Sequence, residues 1–177
     1  MAAIGSAQNL HPGNAAPKFN VKDIAGREYL LSNLMDQGSP TFLYFINIRD
    51  NTSRQASSYI NKIIQNYTPS PTKWFGIVNA PEDKLRSYQS EMSPPYQLLM
   101  DEGLNSMQIY HAKSSPTIVE IDKSGNVMHT WQGFSASNLK SLNRAVAAAN
   151  GKRVMEMDFS RAPSTVVYGD PFIKGEG

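Results

Sequence analysis

Thr41-Phe42-Leu43-Tyr44-Phe45-Ile46-Asn47-Ile48-Arg49-Asp50-Asn51-Thr52-Ser53-Arg54 runs from an apolar stretch through a polar turn into the start of a helix. Phe42 to Ile48 is continuous and rich in aromatic and β-branched residues, which suits a strand covered on both faces inside a sheet. Beyond the turn, Ala56, Tyr59, Ile60, Ile63, Ile64 and Tyr67 recur at helical spacing and define one face. Thr52 with Gln55 three residues later reads as a capping box at the helix start, and Pro69-Ser70-Pro71 stops the helix. A helix N-terminus at the end of a buried strand is a good place to present a charged group, because the unpaired N–H groups of the first turn favour negative charge.

Working outward, Ala16 to Asp23 alternates as a strand, Ala25-Gly26 turns it, and Tyr29-Leu30-Leu31 returns as its partner. Ser32 and Asn33 offer an N-cap for a brief helical turn over Leu34 and Met35. Trp74 to Val78 is a second buried strand, and Pro81, Glu82 and Asp83 mark the first turn of a helix that buries Leu85, Tyr88 and Met92. Tyr96 to Met100 reads as a short strand and Leu104 to Tyr110 as a helical segment. Pro116–Asp122 and Val127–Gln132 flank the turn Lys123-Ser124-Gly125-Asn126 as a hairpin. A helix over Asn138–Asn150 carries Leu139, Leu142, Val146 and Ala149 on one face, with Gly151 just past its end.

The 177 residues suffice for one domain with a full core, and 40% hydrophobic with 18% charged residues is ordinary for a globular protein. A formal charge of +2 with no long Lys/Arg cluster argues against nucleic acid as a partner. No apolar run approaches the ~20 residues of a spanning helix. Met1 to Leu10 lacks the charged and apolar regions of a secretory signal, although a processed precursor would look the same. There is no cysteine, which removes disulfide and thiol use together and leaves the compartment open. Residues 1–13 read as an arm, 14–151 as the domain, and 152–177 as an extension. In that extension Val154, Met155, Phe159, Val166, Val167, Tyr168, Phe172 and Ile173 are scattered among prolines and glycines without a period. Such a segment is too apolar to stay solvated and reads as a docking arm, on a partner by preference and on its own domain's flank as the alternative.

The order of elements resembles the redoxin branch of the thioredoxin superfamily, the peroxiredoxin-like and thiol-disulfide proteins. The resemblance rests on Gly13-Asn14-Ala15-Ala16-Pro17-Lys18-Phe19, on Asp23-Ile24-Ala25-Gly26 and on the strand leading into the turn at Asp50. It continues through Tyr110-His111-Ala112-Lys113-Ser114-Ser115-Pro116-Thr117, similar to the family's Tyr-Gly-Val-x-x-x-Pro-Thr, and through Ile121-Asp122-Lys123-Ser124-Gly125-Asn126. It implies a three-layer α/β/α sandwich with a mixed sheet, and it places the two motif cysteines at Asp50 and Ser53. Pro116 is, by the same resemblance, the family's cis-proline, with Ser115, Pro116 and Thr117 lining a groove that pairs with extended peptides; read alone, Pro116 is simply a residue starting a strand. The Thr that precedes the reactive Cys in peroxiredoxin-like members falls on Asn47.

None of these positions can form a thiolate, so thiol-disulfide exchange and cysteine-based peroxide reduction are chemically excluded. Asp50 reads as a helix cap, or else as an acid/base residue standing where a thiolate's charge would be. A hydroxyl nucleophile at Thr52 or Ser53 has no adjacent histidine to serve as its base. His11, His111 and His129 are widely spaced and make no metal-ligand pattern, and no cofactor is indicated. His111 alone falls near the proline loop. Trp74 and Trp131 fit core positions. The function so indicated is a redox-inactive module acting through a protein partner or a larger assembly. The alternatives are a peptide or small-ligand receptor using the Pro116 groove, and an enzyme of changed chemistry centred on Asp50.

Overall fold

The computed structural model describes residues 10–35 and 38–173; the greater part of the expected N-terminal arm and the last four residues of the tail lie outside them. Among the described residues, twelve elements follow one another: β1 (Asn20–Asp23), β2 (Glu28–Leu30), α1 (Leu31–Met35), β3 (Thr41–Ile46), α2 (Asn51–Asn66), β4 (Lys73–Val78), α3 (Glu82–Met92), β5 (Gln97–Met100), α4 (Asn105–Ile109), β6 (Thr117–Ile121), β7 (Val127–Gln132) and α5 (Ala136–Ala149). The strands form one seven-stranded sheet in the order β2-β1-β5-β4-β3-β6-β7. β3 pairs parallel with β4 and antiparallel with β6, so the decisive strand lies inside the sheet, as its continuous apolar sequence requires.

Alternation along β3 sorts the core into two layers. Phe42, Tyr44 and Ile46 join the cluster that receives Ile60, Ile63 and Ile64 of α2, Leu85 and Tyr88 of α3, and Leu139, Leu142 and Val146 of α5. Leu43 and Phe45 point the other way, into a cluster with Phe19, Val21, Leu31, Met107 and Tyr110. Helices therefore cover both faces, and the architecture is the mixed α/β thioredoxin-like fold. Trp74 stacks on Phe42 with ring centroids 4.3 Å apart, and both Trp74 and Trp131 are buried.

Several boundaries differ from the sequence reading for identifiable reasons. α5 begins at Ala136 because Ser135 is its cap and accepts the Asn138 N–H. α1 starts directly at Leu31 without a cap from Ser32 or Asn33. The strand expected from Ala16 begins only at Asn20, with Ala15 bridging Asn126 instead.

The hairpin β1–β2 turns on Asp23, whose carboxylate is buried and accepts from the backbone of Ala25 and Arg27, the Arg27 side chain and the Tyr29 hydroxyl. Burial pushes this carboxyl up, but those four bonds together hold it below its usual value. A depressed carboxylate contributes stability that is present above its unfolded value near ~4 and is lost as pH falls through the folded one. Asp23→Asn is accordingly expected to flatten the loss of melting temperature between about pH 4 and pH 2, against the wild-type profile; an unchanged slope would leave Asp23 without that role.

The C-terminal segment departs most from expectation. Residues 152–173 lie along the domain's own flank. Phe159 and Ala162 are buried in the larger cluster, Met157 packs against it, and Phe172 packs against the smaller one. Val154, Met155, Val166, Val167, Tyr168 and Ile173 remain exposed. The segment is therefore tied down by hydrogen bonds together with Phe159, Ala162, Met157 and Phe172, on the domain's own flank that the sequence reading held as the alternative to a partner.

Candidate functional site

The backbone leaves β3 at Ile46, turns through Asn47–Arg49 and enters α2 with Asp50 as N-cap. Asp50 Oδ2 accepts the Ser53 N–H and the Ser53 hydroxyl, each at 2.7 Å. The carboxylate is the stronger acceptor for the first-turn N–H groups, so Asp50–Ser53 forms the cap and Thr52 falls inside the first turn. The capping box read on Thr52 and Gln55 is thus corrected by two residues.

Ser53 Oγ also lies 2.5 Å from Ser115 Oγ. One hydroxyl carries one proton and Asp50 only accepts, so Ser53 gives its proton to Asp50 and Ser115 gives its own to Ser53. The two positions where the resemblance puts thiols are joined to each other and to the residue before Pro116. Ser53, Ser115 and Thr117 are at most 1% exposed and Asp50 is 9% exposed. The Ser115–Pro116 bond is cis, and Thr117 returns its hydroxyl to Ser114 O. No hydrogen bond links His111 to this group; it is exposed at a positive φ of 52°. His129 pairs with Glu120 on the sheet surface.

One turn further along α2, Ser57 receives the Tyr88 hydroxyl at 3.1 Å and shares a 2.8 Å bond with that of Tyr44. Burial pushes both phenols above their ordinary range. They stay neutral at working pH and brace the helix beneath Asp50. If Asp50 is the cap, Asp50→Ala is expected to cost about 0.5–2 kcal/mol in urea unfolding, with Asp50→Asn retaining part of it; a variant as stable as wild type would show that the cap is dispensable.

The groove beside Pro116 holds the chain's own tail, which the sequence reading did not place there. Phe134 and Val167 exchange N–H···O bonds of 2.7 and 2.9 Å, Gly169 N–H meets Ser115 O at 2.7 Å, and Phe172 N–H meets Lys113 O at 3.1 Å. Pro171 sits opposite Ser114 in an antiparallel bridge, where the flanking residues make the bonds and its missing N–H is not needed. Two glycines permit this approach. A Cβ on Gly169 would stand 2.0 Å from Asp50 Oδ2 and 2.7 Å from Ser115 O, and one on Gly133 would stand 2.5 Å from Val166 Cγ1. Nothing in the sequence marks Gly133 or Gly169, because the signal that distinguishes them is spatial.

Residues 12–130 match the model of the AhpC/TSA family. No curated protein matches the sequence. Among solved structures, a protein assigned as the thiol:disulfide interchange protein DsbE of Chlorobium tepidum superposes with a TM-score of 0.71 at 22% identity, covering 81% of this chain and 100% of that one. A secreted Mycobacterium tuberculosis disulfide oxidoreductase homologous to Escherichia coli DsbE gives a TM-score of 0.62 at 18% identity, covering 73% of this chain and 95% of its own. An uncharacterised conserved protein of Geobacillus kaustophilus gives 0.71 at 15% identity over 93% of this chain and 92% of that one, a span longer than residues 1–151 alone supply. At these identities the likeness speaks for the fold.

Proposed function

The chain belongs to the AhpC/TSA family, and from that premise, with no cysteine anywhere in it, we propose that it is a redox-silent thioredoxin-like module that binds an extended segment of a protein partner in the groove beside Pro116. The observation that carries this reading is the pairing edge itself. Phe134, Lys113 and Ser115 offer backbone groups to an extended strand, and such pairing gives affinity without any reaction. An acid/base enzyme centred on Asp50 is disfavoured, because that carboxylate is bonded to Ser53, lies beneath Gly169 and, among the described residues, has no second titratable group hydrogen-bonded to it. A second reading, membership of a larger assembly, draws on the outward-facing apolar side chains of Val154, Met155, Val166, Tyr168 and Ile173.

Two measurements test the proposal. Thiol-disulfide exchange and peroxide turnover by the purified chain are expected to equal those of a boiled control, since no thiolate can form; metal-free protein that consumes peroxide stoichiometrically with a thiol donor contradicts this. A protein that co-purifies with the full chain and is released by excess synthetic peptide of residues 164–173 is held in the groove. A partner that this peptide leaves in place is held elsewhere, and the groove reading then fails.

A further inference from the structure

We infer that the groove selects peptides carrying glycine at the residue that crosses Asp50 and an apolar ring three residues later, and that Val166–Ile173 is its built-in ligand. The inference rests on the peptide-binding reading above and adds the class of peptide and its regulation. Along the tail, recognition divides into backbone pairing, which is indifferent to side chains, and two positions where side chains decide.

The first is position 169. Gly169 is not in the left-handed region, so what glycine supplies there is the absence of a Cβ. The space is closed on one side by Asp50 Oδ2 and on the other by the Ser115 carbonyl. The carboxylate is fixed by the Ser53 N–H and hydroxyl, and the carbonyl belongs to the buried loop before Pro116, so neither can yield as a flexible side chain would. Asp50 therefore acts as a gauge at the position the family resemblance gives to a thiol. The second is position 172, where Phe172 is partly buried against the smaller core cluster. Asp170 and Pro171 between them are exposed and impose little. The pattern is Gly-x-x-aromatic in an extended segment, with proline admitted before the ring because its nitrogen makes no bond there.

A tethered ligand competes at an effective concentration in the millimolar range, so a free partner meets a groove that is already filled. Binding in trans then requires the tail to leave, and the stretch after Ala162 is held by backbone bonds, by the Asn79 side chain on Ile173 O and by the Phe172 ring.

The test uses a fluorescent synthetic peptide of residues 164–173, the same peptide with alanine in place of its glycine, and the full-length chain. Gly169→Val evicts the tail and opens the groove. The glycine peptide is expected to bind this variant at least tenfold more tightly than it binds wild type, and at least tenfold more tightly than the alanine peptide does. Equal binding of the two peptides to the variant overturns glycine selection while leaving peptide binding in place. A folded variant that binds neither overturns both readings. Should the variant fail to fold, hydrogen exchange on the wild-type chain decides. The glycine peptide at about 10 mM, above the tether's effective concentration, is expected to speed exchange at Val167, Gly169 and Phe172, whereas the alanine peptide leaves it unchanged; no acceleration, or the same acceleration by both, rejects the inference.

Discussion

Phe159→Ala is expected to destabilise the fold by about 3–5 kcal/mol, the range for deleting a buried phenyl ring. Phe159 is 3% exposed and sits in the larger core cluster, 6.1 Å from the Tyr59 ring, which also faces Phe134. The surrounding segment is held at several points. Ala162 N–H closes a turn onto Phe159 O, and Pro163 O accepts from Ala136 in the first turn of α5. Met155 N–H donates to the Tyr67 hydroxyl, which in turn donates to Asn143 Oδ1, while Asn143 Nδ2 donates to Met155 O. Truncation after Gly151 removes the ring and leaves buried Asn143 and Tyr67 short of partners, so it should cost at least as much as the point variant. In a thermal melt the point variant corresponds to a fall of roughly 6–20 °C for a chain of this size. If the truncated chain melts within a degree or two of the full one, residues 152–173 do not belong to the folding unit and the domain ends at Gly151.

That boundary shows where sequence reading gives out. The Phe42–Ile48 run and the Ala56–Tyr67 face were legible because each element buries its own periodic set of side chains, and a period of two or 3.6 survives in one dimension. The tail has no period because backbone bonds to Phe134, Ser115 and Lys113 hold it, and backbone groups carry no sequence signal. Asp50 and Ser53 were named by motif position. Their link to Ser115 spans 62 residues, and the requirement for glycine at 169 exists only once Asp50 lies beneath it. Asp50 and Thr52 were both offered as caps in sequence, and Asp50 alone takes the role. Both residue types cap helices, and the choice depends on where the chain leaves β3, which propensity does not encode.

The last expected result concerns a carboxylate that the sequence left unmarked. Asp101 follows β5 and is 4% exposed. Its two oxygens accept the N–H groups of Asn105, Ser106 and Met107 and the Ser106 hydroxyl. These are the unpaired donors at the start of α4, a helix of five residues, far too short to sustain itself. Asp101→Ala strands the Ser106 and Met107 amides and a fully buried hydroxyl, each costing about 1–3 kcal/mol when unsatisfied. The variant should therefore lose about 3 kcal/mol or more in urea unfolding, and Asp101→Asn, which keeps an acceptor oxygen, should lose less. The damage should also travel. Met107 and Tyr110 anchor the smaller core layer, and the Tyr110 hydroxyl donates to Pro17 O, fixing the chain just before Lys113–Pro116. Loosening α4 is thus expected to speed amide exchange at Gly169 and Phe172, which bond to that loop, while Val167, paired with Phe134, keeps more of its protection. Uniform loss of protection across all three amides would mean that the tail opens as one piece and not from the Lys113–Pro116 loop alone.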